Sequence, residues 1–325
     1  MNKFKSFKSH ALVRHCLLVM VGMLCALPSW AREVVESGVK YEVNEQEQKA
    51  VVVGLADKNS STVEIQGYVS GYLVSGIEGG AFQNCRSLTS INIPSSVTSI
   101  GRYAFEGCSS LPSINIPSSV TSIGDNAFSG CSSLTFINIP SSVTSIGESA
   151  FDRCSSLTFI NIPFSVTSIG GGAFWGCSSL TFINIPTSVT SIGDWAFSNC
   201  SSLPSINIPS SVTSIGLGAF FDCSSLTSIN IPSSVTSIEG GAFLFCSSLT
   251  SIMVDESNPV YSSENNVLFS KKDNSLIRAG VGLEKYDIPS WVTSIAYMAF
   301  NDCSSLTSIN IPSSVTSIED EVLMV

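Results

Sequence analysis

Eight cysteines at positions 85, 108, 131, 154, 177, 200, 223 and 246 fall 23 residues apart, and nothing else in the 325-residue chain constrains its fold as strongly. The phenylalanine of each Ala-Phe pair keeps the same step, at 82, 105, 128, 151, 174, 197, 220 and 243. A fixed period of this length marks a chain made of stacked units. One unit runs from Cys108 through Leu111, Ile114, Asn115, Ile116 and Pro117 to Val120, Ile123, Gly124, Ala127 and Phe128. Its apolar spacing suits neither a sustained helix nor an amphipathic hairpin. Ile114-Asn115-Ile116 alternates in, out, in, as a short strand does. Pro117 ends that strand because it has no N–H to give to a ladder. Val120 and Ile123 offer a second apolar edge, Gly124 turns the chain, and Ala127 and Phe128 plug the interior. A single unit buries too few side chains to offset the entropy of ordering it, so the units must stack and cover one another's faces.

The unit Leu-x-x-Ile-x-Ile-Pro-x-x-Val-x-x-Ile-Gly-x-x-Ala-Phe-x-x-Cys resembles the BspA-like leucine-rich repeat of bacterial and some protist surface proteins. The resemblance covers residues 77–318. The expected fold is a β-rich solenoid, a right-handed leucine-rich-repeat-type coil of about ten rungs with a parallel β-sheet. Four segments are expected: a signal peptide at 1–31, a small N-terminal β cap at 32–75, the solenoid at 76–318 and a tail at 319–325. Within the cap, Val39–Val43, Ala50–Val53 and Val63–Ile65 read as short strands closing the open end. The period breaks once, since Cys246 and Cys303 lie 57 residues apart, two periods plus 11. Val267-Leu268-Phe269 can stand there for Ala-Phe, and Tyr286-Asp287-Ile288-Pro289 for Ile-Asn-Ile-Pro. The expectation is an irregular long repeat with a protruding loop at 255–285.

Residues 1–31 have the three parts of a secretory signal: a basic stretch with Lys3, Lys5, Lys8 and Arg14, an apolar run from Cys16 to Leu27, and Ser29-Trp30-Ala31 as a cleavage site. As a helix the apolar run spans about 18 Å, against the roughly 30 Å of a bilayer core. Cleavage near Ala31 is therefore expected, with a secreted or cell-surface location and no membrane insertion of the mature chain. Losing those four cations takes the formal charge from −10 to −14. Such acidity argues against nucleic acid as a partner, because phosphate binding needs clustered Lys and Arg.

Cleavage also removes His10 and His15, the only two histidines. No Ser-His-Asp triad can then form. Asp125, Glu148, Asp152, Asp194 and Asp222 scatter over variable positions and read as solvating charges, so no enzymatic activity is expected. The nine remaining cysteines are expected as free, buried thiols. Equivalent Cβ atoms in stacked coils are about 4.8 Å apart and point the same way, whereas a disulfide needs about 3.8 Å and converging bonds. No C-x-x-C ligand pair is present, so neither a metal nor another cofactor is expected.

Binding is what remains. The asparagines of the Ile-Asn-Ile strands face outward in a column, either to hydrogen-bond from coil to coil or to meet a ligand. Two residues earlier most coils carry Ser, but three consecutive coils carry Phe136, Phe159 and Phe182. These three, with Asn138, Asn161 and Asn184, are the first candidates. Trp175 and Phe221 at the Ala-Phe corners are further candidates, beside Trp195, Leu244 and Phe245. BspA-like proteins are associated with adhesion to matrix and plasma proteins and with co-aggregation. The resemblance thus implies an extracellular protein or glycan ligand. The alternative is a structural or ice-ordering solenoid, since flat ladders of Ser, Thr and Asn can template water. The Phe stripe and the period break disturb that regularity, and a thermal-hysteresis measurement separates the two.

Overall fold

The computed structural model describes residues 32–322, so the expected leader at 1–31 and its cleavage site lie outside the described residues. All regular elements among the described residues are β-strands, most of them in two parallel ladders that follow the coil and are interrupted in places, with antiparallel strands only in the cap and at the period break.

The first ladder carries the Ile-Asn pairs. Ser113–Asn115, Phe136–Asn138, Phe159–Asn161 and Phe182–Asn184 pair parallel and in register. Most of these strands stop at Asn, one residue short of the second Ile, because the Pro of the next coil has no N–H to donate. The exception shows the cause. Ser228–Ile231 runs on to Ile231 where the next coil has Asp255 in place of Pro, and Asp255 N–H donates to Ile231 O at 3.0 Å. The second ladder carries the Ser-Ile pairs, with Ser122 and Ile123 aligned on Ser99, Ile100, Ser145 and Ile146.

Twelve coils occupy this second ladder, from Lys49–Leu55 to Ser317–Ile318, rather than about ten. The cap accounts for the difference, because it already winds like the repeats. Lys49–Leu55 pairs parallel with Tyr72–Ile77, and Thr62–Glu64 with Ser90–Asn92. The first of those coils lacks the Pro and Ala-Phe signatures and the second keeps only Ala81-Phe82, so the period could not reveal them as full coils. Arg32–Glu36 closes the stack as an antiparallel outer strand, exposed on both faces and carrying Arg32, Glu33 and Glu36, charges that discourage further edge pairing.

The core is a set of side-chain columns. Leu, Ile, Val, Ala, Phe and Cys of successive coils are buried, with Phe128 and Phe151 at 0% exposure. Phe82 to Phe243 form one unbroken stack with ring centroids 5.1 to 5.7 Å apart. Backbone bonds hold the corners together, Phe105 N–H donating to Ala127 O at 2.8 Å. Gly124 permits this closeness, since a Cβ there would lie 2.7 Å from the Arg102 backbone nitrogen.

All nine cysteines are free and buried. They are more than small apolar residues. Cys108, Cys131, Cys154, Cys177, Cys200, Cys223 and Cys246 each donate S–H to the carbonyl of the Phe 26 residues earlier, at 3.1 to 3.2 Å. Each of these carbonyls already accepts the N–H of the Cys three residues on, as Phe82 O does from Cys85 N–H at 3.1 Å, and the thiol of the next coil takes its second lone pair.

The period break is not a protruding loop. Tyr261–Glu264, Val267–Ser270 and Ser275–Ala279 form an antiparallel meander whose last strand joins the second ladder beside Ser294–Ile295. All four residues of Val267–Ser270 are buried, so the apolar run that broke the period is core. The long continuous sheet ends at Ser237–Ile238, and a second begins with the meander. The apolar interior divides at the same place, between Leu268 and its neighbours Val267 and Phe269.

Candidate binding surfaces

Strand alternation turns Ile137, Ile160 and Ile183 inward, at 0%, 0% and 5% exposure, and sets their neighbours outside. Phe136, Phe159 and Phe182 lie in register on three adjacent strands. Their centroids are 6.4 and 5.7 Å apart with interplanar angles of 4° and 11°, an offset stack. Phe136 and Phe182 are 47% and 54% exposed, with Phe159 half-buried between them. Asn138, Asn161 and Asn184 are exposed beside this stripe. Phe164, 72% exposed in the turn after the middle strand, escaped the sequence reading because it replaces a turn Ser rather than a strand residue.

Hydrogen bonding from coil to coil falls mainly to hydroxyls. Among Asn138, Asn161 and Asn184 only one such bond forms, Asn184 Nδ2 donating to Asn161 Oδ1 at 3.3 Å. Thr121 Oγ1 instead donates to Thr98 O at 3.3 Å, and Ser142 Oγ to Val120 O at 2.5 Å, and neighbouring coils repeat both contacts. Those hydroxyls sit beside carbonyls in the turns, whereas the exposed Asn amides face water.

The Ala-Phe corners form a second surface. The second residue after the corner Gly is left-handed in coil after coil: Gly172 at φ 60°, Trp195 at 56° and Gly218 at 56°. Glycine adopts this conformation freely, but for a bulky residue it costs on the order of 1 kcal/mol or more. Trp195 is 40% exposed, and its ring lies against Gly218, where a Cβ would collide with it. Phe221 meets Trp195 edge-on at 5.5 Å, and Phe245 meets Phe221 at 4.9 Å. Trp175 is held by two neighbours. The Arg153 guanidinium stacks on its ring at 4.6 Å, and Trp175 Nε1 donates at 3.1 Å to Asn199, whose amide also donates to Asp222 Oδ2 at 2.9 Å. Leu244, expected outside, is only 8% exposed; its side chain lies over Gly241 of its own corner.

Between these side chains opens a cleft of about 590 Å³, bordered by Glu148, Trp175, Asp194, Trp195, Asn199 and Phe221. Trp195 and Phe221 also border a larger hollow of about 1030 Å³ that reaches Arg278 and Tyr297. The irregular coil creates the hollow by cutting its corner short. Leu276 and Tyr286 occupy ladder positions 10 residues apart, where Ile100 and Ile114 of a regular coil are 14 apart. Asn301 Oδ1 bridges the gap, accepting Phe245 N–H at 3.0 Å. Arg278 fills the floor at 2% exposure, donating Nη1 to Met298 O at 3.2 Å, with Nη2 3.7 Å from Asp302 Oδ2. Burial lowers its pKa, as expected for a guanidinium taken out of water.

A BspA type leucine rich repeat region, in six copies, matches residues 75–200, 167–277 and 278–324. The chain belongs to this family. Similar solved structures include a leucine rich cell surface protein of Faecalibacterium prausnitzii A2-165, with 30% identity and a TM-score of 0.62 over 89% of this chain and 76% of that one. A leucine-rich repeat protein of Bacteroides ovatus ATCC 8483 shares 28% identity at a TM-score of 0.56, covering 88% of this chain and 90% of its own. One from T. pallidum shares 28% over 67% of this chain and 91% of its own, with a TM-score of 0.53. No curated protein matches. Leucine-rich repeat solenoids are in general binding rather than catalytic scaffolds. Among the described residues of this BspA-type chain, no group of three or more His, Cys, Asp or Glu could hold a metal ion, and no helix is long and apolar enough to cross a membrane.

Proposed function

We propose that this chain is exported by its leader and acts as a secreted or cell-surface adhesion module, and that Phe136, Phe159 and Phe182 with Asn138, Asn161 and Asn184 contact an extracellular macromolecule of a host or neighbouring cell. One observation carries the reading: an exposed aromatic stack stands on a strand face whose flanking coils carry Ser and Asn at the same positions. Exposed apolar surface of a few hundred Å² is near the size at which a patch marks a partner site. Family membership and the cell-surface relative support the location. The amides of the adjoining Asn supply donors and acceptors at the rim of such a contact.

The test is a triple Phe→Ser variant at these positions, which restores the residue of the neighbouring coils. Expected is a melting temperature within a few degrees of wild type and loss of most binding to extracellular proteins captured by the wild type. Unchanged binding to every captured protein refutes the assignment of this face.

A further inference from the structure

We propose that the corner cleft around Trp195 is a binding site for a neutral saccharide. It is separate from the strand-face stripe, and either can fail without the other.

Position is the first argument. Trp195 occupies a left-handed backbone site that neighbouring coils fill with Gly172 and Gly218. Tyr103, Asn126, Ser149 and Met298 hold the same left-handed site in other coils, so that backbone belongs to the corner. What marks this coil is the largest side chain set between two glycines, which leave its ring room and a free face. Its ring is nevertheless braced against Gly218 and Phe221 and 40% exposed. Trp175 is likewise fixed in orientation, by Arg153 and Asn199. The cleft is therefore walled by rigid aromatics that lose little freedom on binding.

Chemistry is the second argument. Aromatic faces carry negative charge density and attract the polarised C–H face of a pyranose. Glu148 and Asp194 border the same cleft, are exposed and take part in no ion pair among the described residues. Asp194 Oδ1 already accepts Leu217 N–H at 2.8 Å, which fixes the side chain and leaves its other oxygen, with the Glu148 carboxylate, to accept from a ligand rich in hydroxyl donors. The two carboxylates also repel an anionic sugar. A cationic peptide would seek the face of Trp175, but Arg153 already holds the cation position there at 4.6 Å. A neutral polyol with an apolar face meets all three conditions. The hollow beyond Phe221 lets a chain of several sugar units continue past the cleft.

The test uses affinity electrophoresis and tryptophan fluorescence on the purified protein. The probes are soluble neutral polysaccharides (a β-glucan, xylan, galactomannan and α-mannan), with polygalacturonate and oligolysine as charged controls. Expected is retardation by at least one neutral polymer with a change in Trp emission. Trp195→Gly should weaken it about tenfold, the upper end of what one aromatic contact contributes, with a melting temperature within a few degrees of wild type, the relieved left-handed strain offsetting part of the lost packing. Asp194→Asn and Glu148→Gln should weaken it too, while the triple Phe→Ser variant binds normally. The proposal is overturned if no neutral polymer retards the protein, or if Trp195→Gly leaves binding unchanged. Retention by polygalacturonate or oligolysine alone overturns it equally, the latter pointing to a basic protein ligand.

Discussion

Raising the pH past the ordinary ionisation of cysteine should unfold this protein abruptly. Seven thiols are hydrogen-bond donors to carbonyls inside the coil, so a thiolate at the same place would face a carbonyl oxygen at 3.1 to 3.2 Å. Burial raises their pKa values from the usual 9.0, to about 12 for Cys108 and Cys246. The unfolded chain ionises near 9, the folded chain well above it. Stability is therefore complete below pH 9 and is lost as the pH climbs from there towards the folded values. Each such thiol contributes a slope of up to about 1.4 kcal/mol per pH unit, and seven together reach on the order of 10. Folded domains hold only about 5–15 kcal/mol, so about one pH unit suffices. The assay is far-UV circular dichroism from pH 7 to 11.5 with a reductant present, alongside thiolate absorbance near 240 nm. Both signals should change together and reverse on return to neutral pH. Buried Tyr41, Tyr261 and Tyr286 act in the same direction, their pKa values also being raised by burial. A Cys154→Ala, Cys177→Ala, Cys200→Ala variant isolates the thiols and should lower the slope by roughly 4 kcal/mol per pH unit. Retention of the fold to pH 11.5, or an equal slope in the triple variant, refutes the reasoning.

Further outcomes follow from the packing. Phe151→Ala opens a gap in the ring stack between Phe128 and Phe174 and should cost about 3–5 kcal/mol in chemical denaturation. Gly147→Ala should destabilise despite Ala's lower chain entropy, since its Cβ would sit 2.5 Å from the Asp125 backbone nitrogen; a melting temperature at or above wild type counts against the inter-coil approach. Arg278→Met leaves the enclosed Oδ2 of the half-buried Asp302 without its partner and should cost about 1–3 kcal/mol, with Asp302→Asn in the same chain restoring part of it; additive losses would show that the two do not act as a pair. At pH 8 none of the buried thiols should react with a thiol reagent until denaturant is added, and prompt labelling of Cys154 or Cys200 would contradict their burial.

The strand-face stripe was legible because a strand has a period of two: once Ile137 is inside, Phe136 and Asn138 must be outside, and a 23-residue repeat puts like beside like. The corner cleft was less so, although a Trp in the column of Gly172 and Gly218 was there to be seen. A turn has no period from which to read a side chain's direction. That direction depends on left-handed φ values at Trp195 and Arg153, which the sequence does not display. Glu148 and Asp194 read as scattered charges because they belong to different coils, and only stacking makes them neighbours of one cleft.

By itself, then, the sequence determined the coil, its register, its buried columns and the absence of disulfides, because each follows from a repeating local pattern that only stacking can satisfy. Tertiary structure alone decided what happens where the pattern lapses. The cap winds as further coils because Lys49–Leu55 finds a parallel partner in Tyr72–Ile77. The break at 261–279 folds inward as a meander because Val267, Leu268 and Phe269 are too apolar to leave in water. The shortened corner beyond it leaves the hollow over Arg278, a space set by the coils on either side rather than by any residue within it.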